Sequence, residues 1–187
     1  MAERLERFTG WWLEPAELAP PIVAAGRLEG ANGDVRVTAE LVRPETATWN
    51  SWGTASPRLF NDRVAFVFQV TVDSDKPSRW FPGHTTLEVN RPGSPITATR
   101  DADTLLGPLL AAAIEQERSG LPGDLVDRTR ATAPFRDGYL DARAVTPHRT
   151  GLVAFRRPDE AEHVLGLRLT VAVEADGQTR AVPLTFD

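Results

Sequence analysis

Val145-Thr-Pro-His-Arg-Thr-Gly-Leu-Val-Ala-Phe155, followed by the run Val164-Leu-Gly-Leu-Arg-Leu-Thr-Val-Ala-Val173, decides the fold class. Apolar residues recur at every second position from Leu165 to Val173, the period of a strand with one face on a core. The two segments predict a pair of strands, and the pair holds no nucleophile, metal cluster or phosphate loop.

Working outward, the same period appears at Val35, Val37, Ala39 and Leu41, just after the turn signal Asn32-Gly33. Arg63-Val-Ala-Phe-Val-Phe-Gln-Val-Thr-Val72 carries apolar residues on both faces in part, as a central strand does. Asp73-Ser-Asp-Lys-Pro77 predicts the turn that ends it. Shorter strands are expected at Thr85–Asn90, Ile96–Thr99 and Tyr139–Val145. Turns at such intervals point to an antiparallel sandwich rather than a parallel sheet.

One segment breaks the pattern. Asp101 to Ser119 places Leu105, Leu106, Leu109, Leu110 and Ile114 on one helical face, with Asp101 or Asp103 as cap and Gly120 as stop. A second helical pattern, Leu5, Phe8, Trp12 and Leu18, ends at Pro15 and Pro20-Pro21. The expected organisation is an N-terminal arm and lead-in at 1–33, then a sandwich domain at 34–187 with a helical insertion at about 101–120.

The residues Thr146-Pro147, Thr150-Gly151-Leu-Val-Ala-Phe155 and Leu165-Gly-Leu-Arg-Leu169 resemble the small bacterial immunoglobulin-like sandwich domains, with Phe66-Val-Phe-Gln-Val-Thr-Val72 similar to that family's central strand. The resemblance implies a mainly β, antiparallel immunoglobulin-like β-sandwich. It covers about residues 34–99 and 139–187 and brings no catalytic residues. Members often occur in exported or lipid-anchored proteins, whereas this chain has no cysteine for lipid attachment.

Composition narrows the chemistry. A net charge of -5 without a concentrated basic surface argues against nucleic acid, because phosphate contacts need clustered Lys and Arg. The absence of cysteine excludes disulfides, zinc–thiolate sites and thiol catalysis. Met1 to Trp12 lacks the apolar core of a signal peptide, so the chain as given reads as cytoplasmic, or as exported if a signal has been trimmed. No apolar run approaches the roughly 20 residues that cross a bilayer. No cofactor motif is present.

Candidate residues follow. His84, His148 and His163 lack metal-ligand spacing and read as surface or loop histidines. Asp73-Ser-Asp75 and Asp101-Ala-Asp103 read as a turn and a helix cap rather than calcium ligands. No serine stands in Gly-x-Ser-x-Gly. Trp11, Trp12, Trp49, Trp52 and Trp80 all fall in the arm or in connections, where aromatic side chains either cap the core or contact a partner. The expectation is a non-enzymatic interaction or structural module that binds another protein, or itself, through these tryptophans, the arm or a sheet edge. The alternatives are a carbohydrate-binding module, which needs Trp49, Trp52 or Trp80 exposed on one plane, and a hydrolase with an acidic surface site, which needs a carboxylate converging on His148 or His163.

Overall fold

The computed structural model describes residues 26–42, 65–90, 93–120, 132–133, 135–156 and 166–186. The expected arm helix lies outside them.

Among the described residues eight strands pair antiparallel. They are β1 (Arg27–Asn32), β2 (Val35–Leu41), β3 (Ala65–Trp80), β4 (Thr86–Val89), β5 (Ile96–Thr97), β6 (Thr146–Arg156), β7 (Leu167–Ala175) and β8 (Gln178–Phe186). The helix α1 (Ala102–Arg118) lies between β5 and β6. The order β1-β2-β3-β6 forms one layer, and β8-β7-β4-β5 the other. β3 joins them, because its last residues Ser78, Arg79 and Trp80 leave β6 and pair with Ala175, Glu174 and Val173 of β7. Mainly β and antiparallel is therefore how the chain folds. β1 belongs to the sheet, so the lead-in drawn as far as residue 33 is strand from Arg27 onward.

Alternation explains the core. Val35, Val37 and Ala39 of β2, Phe66, Phe68, Val70 and Val72 of β3, and Leu167, Leu169, Val171 and Val173 of β7 point inward into one buried cluster. Two-residue turns set the hairpin registers. Gly33 at φ +64 opens the β1–β2 turn, and Asp176 and Gly177, both at positive φ, make the β7–β8 turn in the manner of type I′.

A second, smaller cluster lies on the outside of the first layer. Val67, Leu152 and Ala154 face outward and are covered by Ala102, Leu105, Leu106 and Phe135. This is why β6 is buried on both faces from Gly151 to Phe155. Asp101 caps the helix as expected, its Oδ1 accepting from the Thr104 amide at 2.8 Å. That hydrogen bond, with one from the Thr104 hydroxyl, holds the Asp101 carboxyl below its ordinary pKa. Ile114, further along the same face, is 38% exposed.

Three expectations are corrected. β6 does not pair with β7; it runs beside β3, from Ala65↔Arg156 to Asp73↔His148. β7 instead turns through Asp176-Gly177 onto β8, a local pairing with little loop-closure entropy. Asp73–Pro77 is not a terminating turn but a bulge within β3, where Ser74 to Pro77 stand opposite Pro147 alone. Finally, Tyr139–Val145 is not a strand. A single bridge joins Tyr139 to Leu152, and Asp141 then folds the chain over by accepting from the Arg143 amide at 2.8 Å.

Tyr139 ties the two clusters together. Its ring meets Trp80 and Phe135 edge to face, and its hydroxyl lies 2.6 Å from the Thr99 carbonyl oxygen and 2.5 Å from Thr99 Oγ1. Burial pushes its pKa from 10.0 up to about 12. A raised folded-state value means that the native state holds the proton more tightly. Its contribution is therefore complete below pH 10 and is lost as pH climbs toward about 12. Two units correspond to about 2–3 kcal/mol. Lys76, held above its ordinary value by its hydrogen bond to Asp176, titrates in the same direction. Denaturant unfolding at neutral and high pH should show this loss in the native chain, and Tyr139→Phe should remove the tyrosine's share. Since the chain has a single tyrosine, tyrosinate absorbance reports the titration directly.

Candidate functional site

The outward side chains of β1, β2, β3 and β6 make a polar face, and the registers order it into rows. Ala31, Arg36, Asp73 and His148 share the first row. Glu29, Thr38, Thr71 and Thr150 share the second, and Arg27, Glu40 and Gln69 the third. The third row ends at Leu152 of β6, which with Val67 and Ala154 lies under Ala102, Leu105, Leu106 and Phe135, so that end of the face is covered. A shallow groove of about 510 Å³ lies over β1 and β2, floored in part by Gly30 and Ala31 and walled by Arg27, Glu29, Arg36, Thr38 and Asp73.

Two contacts order the face. His148 Nδ1 lies 2.5 Å from Asp73 Oδ1, with both side chains more than half exposed. That leaves Nε2, on the other side of the ring, clear of this carboxylate. In the next row Thr71 Oγ1 and Thr150 Oγ1 are 2.8 Å apart. Thr146 Oγ1 accepts from the His148 amide at 3.3 Å and donates to its carbonyl at 3.0 Å, so the start of β6 satisfies its own edge groups. With Pro147 beside them, these residues present little for an added strand.

Beneath the same end lies a buried cation. Arg149 is 7% exposed and donates to the carbonyls of Ala144 at 3.2 Å and Thr146 at 3.0 Å, and to Ser78 Oγ. Ser78 Oγ in turn lies 2.8 Å from Ser74 Oγ, and Ser74 donates to the Lys76 carbonyl at 2.7 Å. Burial holds the Arg149 pKa below its ordinary value. Its partners are neutral oxygens, so the guanidinium acts as a clamp that fastens the 141–146 turn to the β3 bulge. Neither the bulge nor this clamp was legible in the sequence, where Asp73-Ser-Asp-Lys-Pro77 has the composition of an ordinary turn.

The tryptophans sort differently from expectation. Trp80 is fully buried, and its Nε1–H donates to Thr85 Oγ1 at 2.9 Å, so its assignment to a partner-binding surface is corrected to a core residue. The physical reason is the bulge, which lets β3 continue and carries Trp80 between the layers. Trp11, Trp12, Trp49 and Trp52 lie outside the described residues, as does His163. His84 is an exposed turn residue whose ring sits 4.4 Å from that of Phe81.

The chain matches no protein-family model, and no curated protein aligns with it. Among the described residues, no three His, Asp or Glu side chains are placed to hold one metal ion, and no helix is long and apolar enough to cross a membrane.

Proposed function

We propose that this chain is a non-enzymatic interaction module that docks another protein on the open polar face of β1, β2, β3 and β6. The observation that carries the reading is the groove over β1 and β2, whose walls alternate Arg27 and Arg36 with Glu29 and Asp73. Interspersed charges of both signs on a flat sheet select partners by electrostatic complementarity and register. Trp11, Trp12, Trp49 and Trp52 remain proposed contributors to partner binding. The immunoglobulin-like assignment belongs to the same proposal. Two antiparallel layers around one core support it, and the passage of β3 from one layer to the other is a departure from it.

Replacing Thr38 with Arg places a large cation in the middle of the face without touching the core. A partner captured from the source organism by the native chain, then purified, should bind the Thr38→Arg variant at least about tenfold more weakly with unchanged melting temperature. Equal binding to both would overturn this surface.

One observation favours a second reading, a hydrolase with an acidic surface site. Asp73 orients His148 beside the groove, the carboxylate–imidazole convergence such a site requires. Turnover of a simple ester that His148→Ala abolishes would favour this reading over docking. The carbohydrate-binding reading loses Trp80 as a stacking surface.

A further inference from the structure

We propose that Asn32 is a site of spontaneous deamidation, and that its conversion frees β1 from β8. Of the four asparagines in the chain, Asn32 alone is followed by glycine. Both Asn32 and Gly33 are exposed, and Gly33 stands at φ +64 in the tip of the β1–β2 hairpin. With no Cβ on Gly33, its main-chain nitrogen has little to hinder its approach to the neighbouring side-chain amide. That nitrogen attacks Asn32 Cγ, its proton passing through solvent to the leaving group. The Cγ–Nδ2 bond breaks, ammonia departs and a cyclic succinimide remains. One water molecule then opens the ring, giving aspartate when it adds at Cγ and isoaspartate when it adds at the main-chain carbonyl.

The same side chain closes a seam. Among the described residues β1 pairs with β2 alone and β8 with β7 alone. The two strands nevertheless lie against each other: a Cβ on Gly30 would come within 2.8 Å of Val182 Cγ1, 2.9 Å of Leu184 Cδ2 and 3.3 Å of the Pro183 carbonyl oxygen. Side chains fasten them. Asn32 Nδ2 donates to the Ala181 carbonyl at 2.9 Å, and Arg180 Nη1 pairs with Asp34 Oδ1 at 3.0 Å.

Conversion acts on this latch in two ways. A carboxylate at position 32 has no hydrogen to give the Ala181 carbonyl and sets one acceptor against another. In the aspartate form Arg180, which lies against Gly33, offers a partial replacement. In the isoaspartate form the main chain runs through the former side chain, which adds an atom to a two-residue turn whose length fixes the Asn32↔Val35 register. While the latch is closed, Ala181 holds the amide away from Gly33. Attack therefore requires the hairpin tip to open, a local event well short of global unfolding at a strand laddered to a single neighbour.

The full chain, incubated folded in mildly alkaline buffer, tests this when peptide mass mapping follows the amide-to-acid gain at each asparagine. Conversion should concentrate at Asn32 and run at least about tenfold slower than in the urea-unfolded chain, as a reaction through a minor open state does. Gly30→Ala, which wedges the seam, should speed conversion in the folded chain about threefold or more and leave the unfolded rate unchanged. Converted chain, separated by its added negative charge, should lose amide hydrogen-exchange protection across β1 while Phe66–Val72 of β3 keeps its own. A folded chain that converts at Asn32 as fast as the unfolded one, or not at all, overturns the proposal. So does converted chain that keeps native protection in β1, or a folded Gly30→Ala chain that converts at the native rate. The native chain alone decides the first two results, so a Gly30→Ala chain that fails to fold leaves the test intact.

Discussion

Trp80→Ala is expected to lower the stability of the chain by about 4 kcal/mol, the range measured when a fully buried large aromatic is removed. The indole is enclosed between the layers and packs edge to face on Tyr139, with ring centroids 6.0 Å apart. Its loss also takes a hydrogen bond from a network that ties the end of β3 to β7 and to the start of β4. Thr85 Oγ1 accepts from Trp80 Nε1 at 2.9 Å and from the Ala172 amide at 3.0 Å, and donates to the Phe81 carbonyl at 2.9 Å. Thermal unfolding should shift down by roughly 8–16 °C for a chain of this size. An exposed tryptophan in a binding loop would change stability by less than about 0.5 kcal/mol. A near-native melting temperature for Trp80→Ala would therefore contradict the passage of β3 into the second layer.

Gly151→Val is expected to cost about 3 kcal/mol, for a different reason. Gly151 stands opposite Val70 in the β3–β6 ladder, and a side chain there would point toward the segment that follows Tyr139. A Cβ would come within 2.8 Å of Leu140 Cα and 2.9 Å of Leu140 N, both backbone atoms that cannot rotate away. The collision would push the 139–140 segment off β6, breaking the Leu140 amide's 2.8 Å bond to the Leu152 carbonyl and disturbing the Tyr139 anchor. Urea unfolding measures the effect. Unaltered stability would mean that the segment does not run against β6 at this point.

These two positions show what was legible in the sequence and what was not. Gly151 was readable as a place of close approach, because a glycine within an alternating apolar run rarely serves the strand itself. What approaches it, Leu140, belongs to a stretch that looked like a strand of its own and is instead folded over by Asp141. Trp80 was misassigned because Asp73-Ser-Asp-Lys-Pro77 has turn composition, and a bulge and a turn draw on the same residues. The tertiary difference is that Ser74, Ser78 and Arg149 supply the hydrogen bonds that keep the strand going.

The candidate site divides the same way. That Arg36, Thr38 and Glu40 face away from the core follows from the alternation with Val35, Val37 and Ala39, and the same holds for Gln69 and Thr71 beside Phe68, Val70 and Val72. That these residues form one face, with Asp73 beside His148 from 75 positions away, depends on β6 pairing with β3 rather than with β7.

By itself, then, the sequence determined the strand period, the Asn32-Gly33 turn and the capped helix after Asp101, because each follows from forces acting over a few residues. Only the tertiary structure decided which strands are neighbours, where β3 changes layers, and which polar side chains stand together on the open face. Those outcomes turn on competition among distant segments for the same buried surface, and local pattern carries no record of which segment prevails.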